Sequence, residues 1–115
     1  MTYLAGADNA AAALTAGDDQ ASFWRNNLGR TYRVTEIWCQ AASGTSNTIN
    51  LYKNTGSQAT LLNGDCTCST AGNTCALTGT TANLDLAAGN RLDYATQAAD
   101  GSNKRITVNI QLTAQ

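Results

Sequence analysis

An all-β fold, a single antiparallel β-sandwich or jelly-roll of about eight strands, is what this sequence predicts, and three observations lead to it. Ile106, Val108, Ile110 and Leu112 alternate with Thr107, Asn109, Gln111 and Thr113, the period of two that buries one face of a strand. The stretch from Leu84 to Leu112 holds two such runs joined by turn formers, and similar turn signals recur roughly every 8 to 12 residues along the chain. Finally, the chain has no proline and is rich in Thr, Asn and Gly, a composition suited to unbroken ladders and tight turns.

Taken in order, residues 1 to about 20 are small and polar and read as an N-terminal arm, with residues 21–115 as the sandwich domain. Within the arm, Ala10 to Leu14 have helix propensity, but Gly6, Gly17 and Asp18-Asp19 leave too few residues for a helix stable alone. Either a short strand or a turn of helix fits there. Ser22-Phe23-Trp24-Arg25 is a short strand closed by Asn26-Asn27-Leu28-Gly29. Thr31 to Gln40 is the strongest strand, with Tyr32, Val34, Glu36 and Trp38 on one face and Arg33, Thr35, Ile37 and Cys39 on the other. Neither face is purely polar, so the strand is expected to be central or engaged with another subunit.

Asn47 to Asn54 follows as a strand, and Ala59 to Leu62 as a short one before the turn Asn63-Gly64-Asp65. Residues 65–69 and 74–78 are then expected to pair as a hairpin about Ala71-Gly72-Asn73. Leu84 to Leu86, Arg91 to Thr96 and the run to Thr113 complete the set.

Composition narrows the function classes. One domain fits 115 residues. The net charge is -1 and the seven cations are dispersed, so no basic patch invites nucleic acid or an anionic membrane. The start MTYLAGADNAAAALTAGDD has no basic n-region and places Asp8 before its apolar run, unlike a secretory signal. Histidine is absent and Glu36 is the only glutamate, which removes the usual carriers of acid/base chemistry near neutral pH. Glu36, Asp85 and Asp93 are the carboxylates available for a glycosidase-like pair, but no spacing selects any two. No D-x-D-x-D-G loop accompanies Asp18, Asp19 or Asp100 as a calcium site. The expectation is a protein without enzymatic activity or cofactor.

Four cysteines stand at Cys39, Cys66, Cys68 and Cys75. In the expected hairpin Cys68 and Cys75 come within disulfide reach, leaving Cys39 to pair with Cys66, although four cysteines allow three connectivities. Four reduced thiols acting as small apolar core residues are the alternative. One C-x-C and no histidine make a poor zinc knuckle, so no metal is expected.

Three stretches, RVTEIWCQAASGTSNTINLYKN, LLNGDCTCSTAG and LAAGNRLDYATQAADGSNKRITVNI, occur in an order that resembles small β-sandwich virion proteins and fibre-terminal domains of bacteriophages and prophages. The resemblance covers residues 31 to 113. Its L-x-x-G-[DN]-x-L element, here Leu86 to Leu92, is also similar to one in tumour-necrosis-factor-like jelly rolls, and Asn90 stands where aspartate is common. The resemblance implies a capsid-decoration, head-fibre or tail-fibre role. The absence of proline leaves edge strands without one blunting device, so a homo-oligomer, with a trimer favoured, is expected, one that contacts other virion proteins and, with no secretory start, is assembled in the host cytoplasm into the virion. Removing residues 1 to about 20 is then expected to leave a folded domain that assembles poorly.

The second function class is a carbohydrate-binding or adhesive module. Trp24, Tyr52 and Tyr94 are the candidate stacking platforms, and Trp38 the expected core or interface residue, so these four are the candidate interface or glycan contacts.

Overall fold

The computed structural model describes residues 1–6, 22–54, 59–103 and 105–115. Among these residues nine strands and one short helix build two antiparallel sheets packed face to face. The first sheet runs β1 (Thr2–Gly6), β9 (Arg105–Ala114), β3 (Tyr32–Ala41) and β6 (Asn73–Thr74), with β7 (Asp85–Leu86) also paired to β3. The second runs β2 (Ser22–Arg25), β8 (Arg91–Ala98), β4 (Asn47–Lys53) and β5 (Cys66–Cys68). The all-β sandwich expected from the alternation is the fold observed.

The core lies between the sheets. Ala5, Val34, Ile37, Ile106, Val108 and Ile110 of the first sheet are buried opposite Ile49, Leu51, Leu92 and Tyr94 of the second. Each is buried between the layers, and complete burial of one Ile, Leu or Val contributes about 1.5–3 kcal/mol. Tyr3 of β1 stacks on Phe23 of β2 with ring centroids 4.3 Å apart and tilts against Tyr94 at 5.2 Å. Three aromatic rings thus close one part of the interlayer space. Residues 2–6, which the sequence placed in the arm, are a strand of the first sheet, in register from Thr2 opposite Asn109 to Gly6 opposite Arg105. The rest of the arm, including Asp18 and Asp19, lies outside the described residues.

Strand β3 is central, between β9 on one side and β6 and β7 on the other. Its two faces are not those of simple alternation. A register shift between Val34 and Glu36 marks a bulge, and an extra residue in a strand moves all that follows to the opposite face. Val34 therefore points inward with Ile37, Cys39 and Ala41, while Glu36 and Trp38 point outward.

The expected hairpin of residues 65–69 with 74–78 does not form. β5 pairs with β4 in the second sheet, and β6 pairs with β3 in the first. The intervening turn, closed by the Gly72 N–H donating to the Ser69 carbonyl at 3.2 Å, crosses from one sheet to the other. Residues 59–62 contribute only isolated bridges, Tyr52 with Thr60 and Leu62 with Leu77. Next to them the four-residue helix α1 (Thr81–Leu84) is held by Lys53, whose Nζ donates to the carbonyls of Ala82 at 2.8 Å and Asp85 at 3.2 Å.

Side chains fix the loops. Asn26 is buried and donates to the carbonyls of Leu86 and Arg30, both at 2.8 Å, while accepting from the Leu28 N–H. Asn90 accepts from the Ala87 N–H at 2.8 Å, so the amide at this position still serves the turn after β7. Asp100 gathers the backbone N–H groups of Thr45, Ser102 and Asn103 and the Ser102 hydroxyl. These donors, the Ser102 N–H foremost, hold its carboxyl below the ordinary carboxylate range against partial desolvation. Its carboxylate thus ties Thr45 to the turn before β9.

Candidate binding face and four-cysteine cluster

The outward face of β3 and β9 carries one set of candidate contacts. Cross-strand register sets Trp38 opposite Asn109 and Glu36 opposite Gln111. Side chains directly opposite on antiparallel strands lie close enough to act together. With Met1 and Ile110 they line a shallow depression of about 340 Å³. Met1 is fixed there because its amino group donates to the Ile110 carbonyl at 3.0 Å and its own carbonyl accepts from the Ile110 N–H at 2.8 Å. Thr2 adds a hydroxyl that donates to Asn109 Oδ1 at 2.6 Å. The result is a half-buried indole bordered by a carboxylate and two carboxamides, an arrangement that combines an apolar face with planar hydrogen-bonding groups.

The other aromatic candidates are dispersed. Tyr94 is fully buried and its hydroxyl bonds Thr96 Oγ1 at 2.8 Å. Its expected role as a surface contact is therefore corrected: β8 carries it into the interlayer core, where its ring packs with Tyr3. Trp24 is half-buried against that core from β2. Tyr52, on β4, is half-buried and accepts a hydrogen bond from Gln97 Nε2 at 2.7 Å. Burial is the main cause that raises its phenol pKa, with the Asp65 charge adding to it.

The three candidate carboxylates occupy separate environments. Asp85 accepts a two-pronged pair from Arg33, Nε at 2.7 Å and Nη2 at 2.9 Å, and the Arg33 hydrogen bond keeps its carboxyl pKa lowered. Asp93 is buried in the second sheet and accepts from the Ser22 hydroxyl. Glu36 stands on the outer face of the first sheet.

The cysteines form the second feature. Cys39 joins Cys68, and Cys66 joins Cys75, so the expected pairs Cys68–Cys75 and Cys39–Cys66 are replaced. The reason is the missing hairpin. With β5 in the second sheet, alternation turns both Cys66 and Cys68 inward, toward Cys39 on β3 and Cys75 just beyond β6. Both bridges tie one sheet to the other. Cys39 Sγ also lies 3.8 Å from Cys66 Sγ and 3.7 Å from Cys75 Sγ, placing the two disulfides side by side in the core.

No family model, curated protein or solved structure matches this chain. The physical arrangement carries the functional argument.

What sequence reasoning missed is the partnership around Trp38. The residue is prominent in the sequence and alternation already sets Glu36 beside it, but the bulge after Val34 is what turns the pair outward, and Asn109 and Gln111 join them only through long-range register. The alternation in β9 marked those two amides as outward-facing without saying what stood beside them.

Proposed function

We propose that this chain is a non-enzymatic structural protein of a bacteriophage virion, a capsid-decoration or fibre component that works through protein–protein assembly. The observation that carries the reading is the edge of the first sheet. β1 is an end strand, and Met1 and Leu4 present apolar side chains there at 42% and 54% exposure. An end strand with exposed apolar groups is a template for pairing with another chain. Symmetric closure is the common way small β-proteins satisfy such edges. Cross-sheet disulfides suit a particle that persists outside a reducing compartment, and the resemblance over residues 31 to 113 supplies the virion context.

The test is native mass by multi-angle light scattering at micromolar concentration, for the unaltered chain and for Leu4→Lys. A trimer or larger closed assembly that Leu4→Lys dissociates supports the reading. A monomer under all conditions overturns assembly through this edge.

A carbohydrate-binding or adhesive role is the second reading, favoured by Trp38 with Glu36, Asn109 and Gln111 around one depression. Flat aromatic faces bordered by amides and carboxylates suit sugar rings, whose C–H faces stack while their hydroxyls find planar partners. Glycan-array binding that disappears in Trp38→Ala, with assembly unchanged, separates this reading from the first.

A further inference from the structure

Three of the four disulfide sulfurs, those of Cys39, Cys66 and Cys75, stand close enough together to share one metal ion. We propose that on reduction Cys39, Cys66, Cys68 and Cys75 bind one soft divalent cation of the zinc class, which then ties the sheets together in place of the disulfides. Ligands about 2.3 Å from a tetrahedral zinc ion stand about 3.8 Å from one another. Cys39 Sγ already lies at 3.8 and 3.7 Å from the sulfurs of Cys66 and Cys75, and these three sulfurs fall within 4.8 Å of one another. Cys68 Sγ stands outside that group, bonded to Cys39, and once freed by reduction swings in as the fourth ligand. Opening each S–S bond lets its sulfurs separate toward the same spacing, and the ion takes the centre.

Two further features fit the site. Asn73 Nδ2 donates toward Cys66 Sγ at 3.7 Å, the kind of outer contact that stabilises a thiolate ligand. A surface cleft of about 260 Å³ lined by Asn63, Asp65, Cys66, Asn73 and Cys75 reaches the Cys66–Cys75 bridge and gives a reductant or a cation a route in. The linear spacing of the cysteines argued against a zinc knuckle. The folded chain overrides that argument by drawing its ligands from both sheets.

The chemistry balances with a dithiol as reductant. Each disulfide accepts two electrons and two protons from one dithiol, which leaves as its own disulfide. The divalent cation then displaces the four thiol protons to solvent as four metal–sulfur bonds form. The inference is independent of the assembly reading and holds for either proposed function.

The experiment reduces the full chain with dithiothreitol, removes the reductant by anaerobic desalting and titrates with Co²⁺ followed by Zn²⁺. The expected result is one Co²⁺ per chain, with thiolate-to-cobalt charge transfer and intense tetrahedral ligand-field bands that Zn²⁺ bleaches. Near-UV circular dichroism should return to that of the oxidised chain. Cys75→Ser should lose the four-thiolate spectrum. Asn73→Ala, which leaves every ligand in place, should weaken Co²⁺ binding by about tenfold or more. A six-coordinate spectrum, binding below one ion per chain, a near-UV signal that stays flat with metal bound, or unchanged affinity in Asn73→Ala overturns the proposal.

Discussion

Gly72 lies against the indole of Trp38 so closely that a Cβ at position 72 would stand 2.2 Å from Cζ2 and 2.7 Å from Cε2. Its φ of +89° is in addition a conformation that side-chain-bearing residues rarely adopt. The turn after Ser69 therefore rests on the ring itself, and the half-burial of Trp38 depends on that turn. One glycine joins the crossover between the sheets to the geometry of the outer face.

Gly72→Ala should accordingly disturb both. The left-handed backbone costs about 1–2 kcal/mol for a residue with a Cβ, and the contact with the ring adds to it. The expected outcome is a lower Tm together with a shift in tryptophan emission as the indole is displaced. Unchanged emission would show that the turn does not set the position of Trp38.

The two disulfides should differ in their contributions. Cys39–Cys68 spans a sequence separation of 29 and Cys66–Cys75 one of 9. In the chain-entropy account, removing the first as Cys39→Ala with Cys68→Ala should cost about 1 kcal/mol more than removing the second as Cys66→Ala with Cys75→Ala. Denaturant unfolding of the two double variants measures the difference, and peptide mapping of the unreduced protein checks the pairing. Equal losses would indicate that strain or residual unfolded-state structure outweighs loop closure.

Acid should weaken the fold through Asp85 and Asp100. The Arg33 hydrogen bond lowers the folded pKa of Asp85, and the backbone N–H of Ser102 leads the donors that lower that of Asp100. A carboxyl whose folded pKa is depressed contributes stability above its unfolded value, about 3.9 for aspartate, and loses it as pH falls through the folded value. Stability should be flat near neutrality and decline below about pH 4. Asp100→Asn should lower the neutral plateau and make the acid decline shallower. An unaltered acid limb in that variant would assign the decline to other carboxylates.

Much of the sandwich was legible because β9 obeys simple alternation: Ile106, Val108 and Ile110 are buried as their spacing requires. The failures have local causes. One extra residue at the bulge after Val34 reversed the faces of β3 beyond it, and period-two reasoning cannot locate such an insertion. The stretch between Cys66 and Cys75 has hairpin spacing, yet β5 gains more by pairing with Asn47, Thr48 and Ile49 in the other sheet, a choice made by long-range packing. The disulfide pairing inherited that error. Residues 2–6 have too little alternation to announce a strand, and the partner that makes them one, β9, lies at the far end of the chain.

That last pairing revises what truncation should do. Ala5 is fully buried and Tyr3 stacks on Phe23 across the sheets, so residues 1–6 belong to the body of the domain. Deleting them uncovers the ladder edge of β9, an invitation to aggregation, and removes one ring of the aromatic trio. Tyr3→Ala isolates the packing part: loss of a large aromatic from a core costs about 3–5 kcal/mol, and partial exposure of Tyr3 places the expected loss toward the lower end. Hydrogen exchange should show the amides of β1 opening faster in Tyr3→Ala while those of β4 and β8 change only with global stability. Equal acceleration throughout would mean that β1 is held by its ladder with β9 and that the Tyr3–Phe23 stack adds nothing local.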